Sequence, residues 1–177
     1  MSNYIAEALS RKQIRGLAVA IKAEFGLRER LHIPIVELLD VMAEKVKGFS
    51  YQVVDDFELP ANEHAVTDIK TGLIKIKNSV YDGAANGRGR DRMTIAHEIA
   101  HFILCCLYGV KLARCDGRPK QYCDPEWQAK CFAGEFLIDA ELTKDMTPVD
   151  IANECGVSLD AAEYQKKVHA KDKFRRY

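Results

Sequence analysis

Hydrophobic positions recur along this chain with two periods, and the changes between them divide it into three stretches. In the first, Ile14, Leu17, Ala18, Ile21 and Phe25 fall three and four residues apart, which predicts an amphipathic helix over residues 11–25. Ser10-Arg11-Lys12-Gln13 is a capping box at its start, and Gly26 ends it. Pro34 opens a second helix that puts Ile35, Leu38, Leu39, Met42 and Val46 on one face, with Gly48 just past its end. The middle stretch shortens the period. Phe49, Tyr51, Val53 and Val54 predict a strand that Asp55-Asp56 interrupts, and residues 64–70 and 73–77 flank Thr71-Gly72 as a hairpin or meander with one edge exposed. Residues 82–91 are polar and glycine-rich without the GxxxxGK[ST] pattern, so a mobile loop is expected there, not a phosphate cradle.

Helical spacing returns in the third stretch. Met93 to about Tyr108 reads as a strongly apolar helix central to the core. Asp124-Pro125-Glu126 opens another, with Asp124 as cap and proline where its missing amide costs nothing, continuing through Trp127, Phe132, Phe136 and Leu137. Trp127 and Phe132, like Phe25 and Met42, are expected in the core. Thr147-Pro148-Val149-Asp150 starts a further helix, and Ser158 caps a last one that runs toward a basic end.

The 177 residues suit one domain, 1–177, with enough buried surface to fold without staples. Twenty-six Lys and Arg balance 26 Asp and Glu, which argues against nucleic-acid binding by bulk charge. No apolar run approaches the roughly 20 residues that cross a bilayer. The first residues lack the basic stretch and apolar core of a secretory signal, so a cytoplasmic protein is expected. Six cysteines without a CxxC pair, two of them adjacent at Cys105-Cys106, then read as reduced thiols.

The chemistry concentrates in His97-Glu98-Ile99-Ala100-His101. Helix positions four apart lie one turn above each other, so two imidazoles at that spacing can bind one zinc ion while the adjacent glutamate acts on a metal-bound water. Such a short pattern recurs by chance. Here it lies in an apolar helix, where two histidines and a carboxylate are costly unless satisfied. Zinc also needs a third protein ligand and an open position. Glu126, which begins a newly capped helix 25 residues after His101, is better placed than His169 in the basic terminal helix. Glu135 and Asp139 follow on the same helix, but Glu135 is nine residues from Glu126 and projects to the opposite side, solvated or paired. Cys105 continues the His97–His101 face and fits a buried thiol better than a ligand.

Arg92 to His101, followed by Pro125-Glu126-Trp127-Gln128-Ala129-Lys130-Cys131-Phe132-Ala133-Gly134-Glu135-Phe136-Leu137, resembles the ImmA/IrrE family of small zinc peptidases, and the likeness extends over about residues 10–165. Residues 166–177 form a basic helix end or tail. The resemblance implies a compact α+β, zincin-like metallopeptidase domain with a small, mostly antiparallel sheet and an HExxH active-site helix. It implies Zn2+ held by His97, His101 and Glu126, with Glu98 as the catalytic glutamate. It implies as substrate a specific cytosolic regulatory protein, a helix-turn-helix repressor or antitoxin of the kind encoded in phage, mobile elements and toxin–antitoxin-like pairs. The alternative is a metal-stabilised module that sequesters such a partner without cutting it. That alternative draws on Lys130, which stands where the family usually has Asn or Asp and cannot accept a bond from a liganding histidine. Phe136-Leu137-Ile138-Asp139 also departs from the family's usual helix ending.

Three weaker signals remain. Tyr122, Tyr108 and His64 can each donate to an oxyanion but are more often structural. Residues 64–70 can pair an extended substrate to the sheet edge. Residues 151–158 have the order of a helix-turn-helix, yet any short helix pair shows it, and the six basic residues against one acid in 166–177 suit a solvated helix end.

Overall fold

The computed structural model describes residues 4–112 and 120–173. Cys115 and the last four residues of the basic end, 174–177, lie outside that range, so the readings placed on them do too. The chain order is β1 (Tyr4–Ala6), α1 (Arg11–Glu24), α2 (Ile35–Lys45), β2 (Ser50–Val54), β3 (Ala65–Asp68), β4 (Leu73–Lys77), α3 (Asn78–Ala85), α4 (Gly89–Tyr108), β5 (Val110–Leu112), α5 (Pro125–Leu137), α6 (Pro148–Cys155) and α7 (Leu159–Lys173). The class is α+β, as expected.

Local signals set most of these boundaries. Ser10 and Gln13 form the capping box of α1, Asp124 caps α5 with Pro125 in its first turn, and Thr147 caps α6 through Asp150. Gly156 closes α6 in the left-handed conformation with φ +64°, the geometry in which glycine has no Cβ penalty. The three-stranded sheet has the order β2-β4-β3, parallel between β2 and β4 and antiparallel between β3 and β4. Thr71-Gly72 is the β3–β4 turn, where Gly72 has φ +73° and a Cβ on it would lie 1.8 Å from the Gly48 carbonyl oxygen. β3 is an edge. A second sheet, β1 with β5, is antiparallel and joins the N-terminus to the end of α4.

One expectation is overturned. Residues 82–91 are not a glycine-rich loop: α3 runs through Gly83 to Ala85, a short turn follows, and α4 has begun by Gly89. Gly83 is small because α3 lies against α4, where an added Cβ would come 1.9 Å from the Asp91 carboxylate.

α4 is the central helix. Ile95, Ala96, Ile99 and Ala100 have no exposed surface, and α3, α5 and the sheet pack around them. Arg92 ties its first turns to the rest of the chain. Its guanidinium donates to the carbonyls of Gly156 at 2.8 Å, Ile33 at 2.8 Å and Cys155 at 3.3 Å. Desolvation would make a bare buried guanidinium costly, and the three carbonyls satisfy it. α5 lies beside α4 with Phe132 and Phe136 stacked in the core, while Trp127 is only partly buried under Arg11.

The far side of α5 carries a buried ionic network. Glu135, whose side chain is fully buried, accepts from Arg15 at 2.7 and 3.1 Å and from Arg11 at 3.5 Å, with His169 of α7 at 3.1 Å. It is paired, not solvated. Burial works to raise its pKa, but the bonds and charges of His169 and Arg15 outweigh it and leave the carboxyl at about 2. Asp139, at the end of α5, is held by Lys22 of α1 and by Arg28 in the same way, again below the ordinary carboxylate range despite its burial.

Candidate metal centre

α4 is a continuous helix of 20 residues, so His97 and His101 project from the same side one turn apart. Their rings meet edge to face, with Nε2 3.0 Å from Nε2. Glu126, in the first turn of α5, closes the third side: its Oε2 lies 3.3 Å from Nε2 of His97 and its Oε1 3.2 Å from Nε2 of His101. The Asp124 cap accepts from the Glu126 amide at 2.9 Å and fixes where this first turn begins. Among the described residues these three side chains form a cluster able to hold a metal ion.

The donor set fits zinc. Ligand atoms placed tetrahedrally at about 2.0–2.1 Å from one ion sit about 3.3 Å apart, and the observed separations run from 3.0 to 3.3 Å. Two neutral imidazoles and a carboxylate are borderline ligands that suit this ion, and three protein ligands leave a fourth position open. Access matches that arrangement: the Glu126 side chain is 61% exposed. Bonds from His101 and then His97 hold its carboxyl well below the usual carboxylate range, so it is ionised and ready to ligate.

Glu98 follows His97 directly in α4, is buried, and is not one of the three clustered side chains. Its Oε2 lies 2.7 Å from the Thr67 hydroxyl, which is also 3.0 Å from the Glu98 carbonyl oxygen. Thr67 is on β3, the sheet edge, so one side chain joins that edge to the glutamate of the HExxH motif. Nothing in the sequence marked Thr67: a threonine in a short alternating strand is an ordinary strand residue, and its partner is 31 residues away.

The other ligand candidates lie elsewhere. His169 and Glu135 belong to the buried network on the opposite side of α5, and Asp139 pairs with Lys22 and Arg28. Cys105 is not in the cluster, and burial pushes its thiol up, away from the thiolate a metal requires. Among the described residues, Cys105, Cys106, Cys123 and Cys155 form no disulfide. Of the proposed oxyanion donors, Tyr108 and Tyr122 are exposed, and His64 is bonded to Arg90 at 2.9 Å. α6 and α7 pack onto the domain: Gln165 of α7 is buried against Gly134 of α5, where a Cβ would meet its Oε1 at 2.8 Å.

An α+β domain that presents two histidines from one helix and a carboxylate from the next defines a metallopeptidase-like class. The chain belongs to the Peptidase M78 family, described as the IrrE N-terminal-like domain, which matches residues 36–166. Among solved structures, a Mycobacterium tuberculosis transcriptional regulator is similar over 85% of this chain, with 16% identity and a TM-score of 0.58. At that identity the likeness concerns the fold. The chain covers 45% of that regulator, so it spans less than half its length. Comparison with curated proteins gives no significant match. Among the described residues, no helix is long and apolar enough to cross a membrane.

Proposed function

We propose that this protein is a zinc-dependent endopeptidase acting on one cytoplasmic regulatory protein, a helix-turn-helix repressor or antitoxin. The convergence of His97, His101 and Glu126 within 3.0–3.3 Å of one another, beside a buried Glu98, carries the reading. His97, His101 and Glu126 would hold a zinc ion, which when bound would supply Lewis-acid chemistry to a peptide carbonyl and to water. Glu98 is the proton carrier. With Oε2 held by Thr67, Oε1 accepts a proton from the attacking water and later returns one to the departing amine. The unpaired side of β3 suits an extended substrate segment, which would lie alongside Thr67 and so beside the glutamate. Membership of a peptidase family supports this chemistry, and the similar transcriptional regulator supports a regulatory setting.

The test is co-expression with helix-turn-helix proteins encoded beside this chain, comparing wild type with Glu98→Gln. The expected result is loss of one such protein with a discrete fragment, seen only with wild type, while both forms bind zinc equally. A stoichiometric complex with an intact partner, unchanged by Glu98→Gln, would instead establish the sequestering module.

A further inference from the structure

Directly beside His97 lies a pocket of about 200 Å³ whose walls come from three helices: Met93 of α4, Lys130, Ala133 and Ile138 at α5 and its end, and Ala161 and Tyr164 of α7. It is smaller than the roughly 300–1,000 Å³ of sites that hold a whole small molecule, and its size suits one side chain. Met93, Ala133, Ile138 and Ala161 make the lining mainly apolar. Lys130 is exposed, and no carboxylate of the described residues forms an ion pair with its ammonium, although Glu126 is one helical turn away. A cation left unpaired at the edge of an apolar pocket favours an apolar group inside and a negative one at the rim.

Resting on the peptidase reading, we infer that this pocket selects the substrate: it takes one apolar side chain next to the scissile bond, and Lys130 pairs with an acidic residue of the same segment. His97 contributes both to the metal cluster and to the pocket wall, so a side chain seated there belongs to a residue at or adjacent to the bond being cut. α7 therefore has a role that its resemblance to a DNA-reading helix does not suggest. Its Ala161–Tyr164 turn is a specificity wall, and Gln165 packs that turn against Gly134 of α5.

The test uses zinc-loaded protein and a mixture of random decapeptides, with cleavage positions read by mass spectrometry. Three forms are compared: wild type, Ala161→Leu, which fills the pocket from a partly exposed position, and Lys130→Glu. Zinc content and thermal melting confirm that each is folded and loaded. Wild type should select a large apolar residue at one position beside the cut and an acid nearby. Ala161→Leu should lower cleavage of large apolar peptides by on the order of tenfold relative to those with alanine. Lys130→Glu should keep the apolar choice and exchange the acid for Lys or Arg. Identical preferences in all three forms would overturn the pocket assignment and leave the peptidase reading standing. If zinc-loaded wild type cuts no decapeptide, fluorescence anisotropy with an apolar–acidic decapeptide decides the pocket, while co-expression with the partner proteins decides the peptidase reading separately. Binding that weakens in both variants supports the pocket assignment; no binding to wild type overturns it.

Discussion

Two glutamates on one helix meet opposite fates. Glu126 and Glu135 are both in α5, and their nine-residue spacing places them on opposite sides. Glu126 is largely exposed and faces two imidazoles. Glu135 is fully buried and faces two guanidiniums and a third histidine. Both carboxyls are held ionised, so the charge alone does not separate a structural site from a chemical one. The partners do. Arginine has five donors and no acceptor, so two of the three groups around the Glu135 carboxylate cannot ligate an ion. An imidazole nitrogen can offer a lone pair, and the Glu126 cluster brings two imidazoles and a carboxylate together beside an exposed side chain. One end of α5 docks α1 and α7; the other builds the site.

The largest effect that sharpens this contrast lies next to the open cluster. Glu98→Gln should lower turnover by about 10²–10⁴-fold with zinc content unchanged; peptide cleavage followed alongside metal analysis checks it. A loss of zinc in this variant would mean that Glu98 belongs to the ligand set.

On the buried side, Glu135→Gln should cost stability and leave the metal in place. Removing one partner of a buried pair costs about 3–5 kcal/mol, but the Arg11 and Arg15 side chains are 17% and 21% exposed and can recover water. A loss of about 2 kcal/mol, or roughly 4–8 °C in Tm, is expected, read by thermal melting at neutral pH. The same carboxyl sets an acid limit. Its folded pKa of about 2 lies below the unfolded value of about 4.3, so its contribution is complete above the unfolded value and disappears as pH falls through about 2. That contribution is about 3 kcal/mol. Urea titrations between pH 5 and 2 should show it in wild type and a flatter profile in Glu135→Gln; parallel profiles would contradict it.

A smaller effect is expected from Thr67→Val, which keeps the shape of the side chain and removes the hydroxyl from Glu98. Turnover should fall roughly tenfold with KM and zinc unchanged, because Glu98 loses the hydroxyl that orients its carboxylate. Thr67→Ser should restore the rate. Equal rates in all three forms would remove Thr67 from the account.

Much of this architecture could be read from local patterns, and the exceptions share a cause. α4, α5 and their caps were legible because apolar spacing, Asp124-Pro125 and the HExxH spacing all act within a few residues. The opposed directions of Glu126 and Glu135 followed from helix geometry. The identities of their partners did not, since Arg15 and His169 approach from α1 and α7, far along the chain. Gly83 misled for a related reason. Read alone it signals a loop, whereas its small size answers Asp91 on the neighbouring helix. β1 and β5 are three residues each, too short to show a period. Thr67 and the pocket wall at Ala161 depend on tertiary packing and left no local signal.

Metal content of purified, zinc-replete wild type beside Glu126→Ala, by elemental analysis, tests the central claim most directly. One zinc per chain in wild type and almost none in Glu126→Ala, with both proteins folded, is the predicted result. No zinc in wild type, or the same zinc in both, would contradict a site built from His97, His101 and Glu126.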